Sequence, residues 1–82
     1  MTENQLVVLQ WLKDTFTARK VNMWFAFDVL ESISSQYNAL SFEELESPEK
    51  PHLKAFGELT QLEGFEVISA FAEWGIQEVS GK

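Results

Sequence analysis

The chain has 82 residues, no cysteine, and 13 Asp and Glu against 6 Lys and Arg, giving a net charge of −7. That length holds a single domain, residues 1–82, and without cysteine neither disulfides nor thiolate metal sites are possible. The acidic balance disfavours direct binding to nucleic acid, whose phosphates must be neutralised by cations.

A domain this short buries only about 60% of its unfolded surface, so its own core leaves it marginal and oligomerisation is the ordinary supplement. The acid is unevenly spread. Between Lys20 and Lys50 lie Asp28, Glu31, Glu43, Glu44, Glu46 and Glu49, and after Lys54 no cation follows until Lys82. One reading is plain solubility. A sharper one is a surface that imitates a phosphate backbone and occupies a host nucleic-acid-binding protein. The opening Met1-Thr2-Glu3-Asn4 lacks the basic start of a signal peptide. No stretch approaches the roughly 18 apolar residues of a spanning helix. The expected location is the cytoplasm of the producing or host cell, with no membrane partner.

From Thr2 to Ala18, Leu6, Val8, Leu9, Leu12 and Phe16 share one helical stripe, while Val7 and Trp11 sit on the other side. Thr2 suits the cap, with Glu3 near the positive helix end. After the polar break Arg19-Lys20-Val21, Asn22 is placed to cap a second helix. Along it Met23, Ala26, Phe27, Val29, Leu30, Ile33 and Tyr37 share a face and Trp24 lies opposite. Val21, Met23, Phe25 and Phe27 also alternate as a strand would.

Ser41-Phe42-Glu43-Glu44 fits a capping box, and Ser47 to Pro51 is the most loop-like stretch. Pro51 suits the first turn of a third helix through His52, Leu53, Phe56 and Leu59. Thr60-Gln61-Leu62-Glu63 is a second capping box, which predicts a separate last helix beginning at Gln61. On it Leu62, Phe65, Ile68, Ala72, Ile76 and Val79 form the main apolar face. Val67, Phe71 and Trp74 form a second stripe at i, i+4, i+7. A helix apolar on two sides is either central in its fold or half in an interface. Gly81 ends the pattern. The alternation of Phe65, Val67, Ser69 and Phe71 admits a strand instead.

Catalytic sets are sparse. With one histidine and no cysteine, Cys–His pairs and multi-histidine metal sites cannot form within one chain. His52 reads as a solvated residue at a helix start. Glu49-x-x-His52 is at most half of a di-iron pattern, and Glu43, Glu44, Glu46 and Glu49 lack the spacing of a calcium loop. Nucleotide-binding glycine motifs are absent. No catalytic, cofactor or metal residue is assigned.

The stretch "LKAFGELTQLEGFEVISAFAEWGIQEV", with the opening "QLVVLQWLKD", resembles small acidic uncharacterised proteins of phages and prophages of low-GC Gram-positive bacteria. The shared character is carried here by Glu66, Val67, Ile68, Phe71 and Trp74. The resemblance implies a phage or prophage setting and no activity.

The expectation is therefore an all-α bundle of three long helices and one or two short ones, with a small sheet as the alternative. Its expected role is that of a non-enzymatic protein–protein interaction domain, with another protein or a second copy of itself as partner. The contact residues expected are those off the main stripes: Val7, Trp11, Trp24, Val67, Phe71 and Trp74.

Overall fold

A computed structural model describes residues 1–18, 26–40 and 50–81. Among them the chain is all-α: α1 (Glu3–Thr17), α2 (Ala26–Asn38), α3 (Pro51–Gly57) and α4 (Gln61–Ser80). No described residue lies in a strand, and both stretches that alternate are helical where they are described, from Ala26 onward and through Phe65–Phe71.

The helix ends follow local chemistry. Thr2 caps α1 by accepting from the Gln5 backbone N–H at 3.2 Å, and the Gln5 side chain accepts from the Thr2 N–H at 2.8 Å. Two of the donors that a helix start leaves unpaired are thereby satisfied. Thr60 and Glu63 repeat the device at α4, with bonds of 2.9 and 3.2 Å. Because this second cap starts a new helix, α3 stops at Gly57, and the Glu58 N–H closes its last turn on Lys54 and Ala55. Pro51 opens α3, where its missing N–H costs nothing. Gly81 terminates α4, its N–H returning to the Gln77 carbonyl at 2.9 Å. The expected caps at Asn22 and Ser41 lie outside the described residues.

Packing centres on α1, not on the last helix. α1 touches α2, α3 and α4, α2 and α3 touch each other, and α4 rests on α1. The reason is the breadth of the apolar arc on α1: Val8, Leu9, Leu12 and Phe16 are buried, with Val7 and Trp11 packed against the same core. Leu6, expected in that stripe, is exposed because it falls on the arc that no neighbouring helix covers. Val29, Ile33, Leu53, Ala55, Val67 and Phe71 complete the core. The molecule measures 42 × 27 × 18 Å. Among the described residues no helix is long and apolar enough to cross a membrane.

Candidate contact face on the last helix

The expected contact residues do not form one surface. Val67 and Phe71 are core residues, 2% and 4% exposed. Trp74 is half-buried, its ring edge-on to Phe16 at 5.7 Å and stacked on Phe71 at 5.9 Å, with Lys13 Nζ 5.7 Å from its centroid. Phe71 also meets Phe16 edge-to-face at 6.2 Å. Trp11 stacks on His52, centroids 4.7 Å apart and planes 9° from parallel. Val7 is half-buried against the core. Trp24 lies outside the described residues. Five of the six rings and side chains expected to need an outside cover are thus covered, wholly or in part, by their own protomer.

The second stripe of α4 faces inward, and the main stripe faces out. Leu62 is 69% exposed, Phe65 67%, Ile68 44%, Ile76 66% and Val79 58%. Periodicity locates two apolar faces on this helix but cannot rank them, and counting residues ranked them wrongly. Shape decides: Val67, Phe71 and Trp74 make a narrow ridge whose two rings bracket Phe16 in the edge-on geometry aromatic pairs prefer.

A buried glutamine then fixes the rotation of the helix. Gln5, almost fully buried, donates from Nε2 to the Glu63 carbonyl at 3.2 Å and to Glu66 Oε1 at 2.9 Å. Turning the other stripe inward would strand that amide, which is costly in a core. Gln5 was not singled out in the sequence. The only available sign was its place at the third residue after Thr2, where a glutamine side chain can reach back to the cap residue's N–H.

The outward face borders a groove. α2 and α4 both lie on α1 without packing closely on each other. Between them a trough of about 730 Å³ is floored by Phe16, Leu30 and Phe71 and walled by Phe27, Ile76 and Val79. A recess of about 390 Å³ beside Tyr37, Phe56 and Phe65 continues it, and Ile68 lines both. The apolar trough thus follows nearly the whole of α4, whose 20 residues span about 30 Å.

Two glycines mark one edge of the face. Among the described residues, a Cβ added at Gly64 or Gly75 would meet nothing within 4 Å. Each costs a helix interior about 0.8–1 kcal/mol relative to alanine. Gly57 differs: an added Cβ would lie 2.5 Å from Tyr37 Cε1. On the opposite edge of the α4 face Glu66 and Glu73 are exposed, and no Lys or Arg occurs between Gln61 and Ser80.

His52 is not the solvated residue expected. Half-buried under Trp11, its Nε2 lies 3.3 Å from Gln36 Oε1. Burial, and then the nearby Lys50 charge, lower its pKa below the usual 6.5. Glu43, Glu44, Glu46 and Glu49 lie outside the described residues, and among the described ones no three His, Asp or Glu side chains gather as a metal site. Comparisons with protein-family models, curated proteins and solved structures return no match.

Proposed function

We propose that this chain is a non-enzymatic protein–protein interaction domain that binds through the outward face of α4 and its adjoining groove. The observation that carries the reading is the exposure of Leu62, Phe65, Ile68, Ile76 and Val79 along one side of a single helix. Isolated apolar residues on a surface are ordinary, whereas a contiguous apolar strip marks a place where something docks. The groove is lined by carbon, which favours this reading over an acidic mimic of nucleic acid, whose contacts would be carboxylates. The phage or prophage setting is part of the proposal and is supported by the sequence pattern alone. Three residues of that pattern, Val67, Phe71 and Trp74, pack inward, so the pattern reports a way of folding α4 more than a binding site.

A photo-crosslinking amino acid placed at Ile76, in cells expressing the protein, tests the reading. Adducts from that position, and none from the same group at exposed Gln10 on α1, are the expected result. If neither position yields an adduct, the contact face is not used.

A further inference from the structure

We infer that the occupant of the α4 face is a basic amphipathic helix of another protein, its apolar side in the trough between α2 and α4 and its Lys and Arg side chains along the two banks. The inference rests on the contact reading above and names the partner's chemistry.

The lining of the trough sets the partner's backbone. Phe16, Leu30, Phe71, Ile76 and Val79 present carbon there, and the hydroxyl of Ser80 at its end donates to the Ile76 carbonyl of its own helix. An extended segment laid on such a surface would turn backbone N–H and C=O groups against carbon, at about 1–3 kcal/mol for each one left without a partner. No described residue lies in a strand, so no sheet edge among them can take up those groups. A helix satisfies its backbone internally except at its ends, and can lay an apolar stripe in a groove at no such cost. The length agrees with this mode: α4 has 20 residues and spans about 30 Å, which a partner helix of about 20 residues covers.

Carboxylates on both banks set the partner's flanks. On α4 Glu66 lies beside Leu62 and Glu73 beside Ile76, each pair exposed and neighbours on the helix surface. On α2 the exposed Glu31 stands one turn on from Phe27, with exposed Asp28 before it. Neither residues 26–38 nor residues 61–80 include a Lys or Arg. Lys13 meets α4 at Trp74, about half a turn round the helix from the strip. A second copy of this chain would bring like charges onto these banks, whereas cations on both edges of an apolar stripe pair with them. Rim charges of this kind select and steer a partner, and the affinity comes from the apolar burial between them.

Fluorescence anisotropy tests the inference with a labelled synthetic peptide of about 20 leucines and lysines, the leucines at helical spacing. A permuted peptide of the same composition, without that spacing, is the control, and the full chain is titrated to about 200 µM. The expected result is a Kd at least about tenfold lower for the amphipathic peptide, rising about tenfold between about 0.05 and 0.5 M NaCl. Ile76→Gln, which removes apolar contact without adding charge, should raise Kd about fivefold. Glu66→Gln with Glu73→Gln should raise it about three- to tenfold, while Glu3→Gln with Asp14→Asn, the same charge removed from exposed positions on α1, changes it less than about twofold. Circular dichroism of each variant confirms that it folds. No binding, equal affinity for the two peptides, indifference to Ile76→Gln, or equal losses from the two charge-removing pairs overturns the inference. The crosslink at Ile76 then separates the two claims: an adduct with another protein leaves the contact reading standing, and no adduct removes both.

Discussion

Two phenylalanines six residues apart on α4 should behave as opposites. Phe71 is 4% exposed and edge-on to Phe16, whereas Phe65 is 67% exposed. Truncating a buried phenylalanine to alanine costs about 3–5 kcal/mol in lost transfer and residual cavity. A domain of this length has about 4–12 kcal/mol in total, so Phe71→Ala should bring it close to unfolding in water. At Phe65 only about a third of the ring is covered, worth about 0.5–1 kcal/mol, and alanine's better helix propensity returns about 0.5 kcal/mol. Phe65→Ala should therefore lie within about 0.5 kcal/mol of wild type in the monomer. Urea unfolding followed by circular dichroism at low micromolar concentration reads both, with a slope of about 1 kcal/mol per molar. Phe71→Leu, milder at about 1–1.5 kcal/mol, keeps the core side measurable if the alanine variant does not fold. Equal losses at positions 65 and 71 under monomeric conditions would mean that α4 sits on α1 by the other face. The argument about its rotation would then be wrong.

Other outcomes follow from single contacts. Thr60→Ala removes the side-chain acceptor for the Glu63 N–H and should cost about 1 kcal/mol in urea stability; no loss would mean the box is not formed. Gly57→Ala drives a Cβ to within 2.8 Å of two ring carbons and the hydroxyl oxygen of Tyr37, whose ring leans on Phe56 at 5.3 Å. The crowding should cost about 1–2 kcal/mol net of the alanine's helix preference, and a more stable variant would show the ring free to swing away. For His52 the folded pKa lies below 6.5, so in the interval between the two values the unfolded chain binds more protons. Its contribution is full above pH 6.5 and declines as pH falls from there through the lowered folded value. Urea midpoints from pH 8 to 4.5 should show wild type losing stability relative to His52→Gln across that interval; parallel curves would contradict the burial of the ring beneath Trp11.

Much of this architecture follows from local chemistry that a sequence displays directly. Thr2 and Thr60 satisfy helix-start donors within three residues, Pro51 tolerates only the first turn, and Gly81 closes the last. The start of α4 at Gln61 is therefore legible without any tertiary knowledge, as is the all-α class. The same holds for the two apolar stripes of α4, since a period of 3.6 residues places them whatever surrounds the helix; on α1 the expected stripe took in Leu6, which is exposed, and left out Val7 and Trp11, which pack on the core.

Which stripe turns inward was not legible. Both faces of α4 are apolar enough to be buried, so transfer free energy alone is nearly indifferent between them. The choice fell to the fit of Phe71 and Trp74 around Phe16 and to the amide of Gln5 reaching Glu63 and Glu66, contacts separated by 55–61 residues in the chain. For the same reason α1, not α4, became the centre. Its neighbours arrive from three directions, and Trp11, which looked misplaced beside its stripe, found its cover in the imidazole of His52 on α3. Local bonds determined where helices begin and end; long-range packing alone decided which of their surfaces meet water.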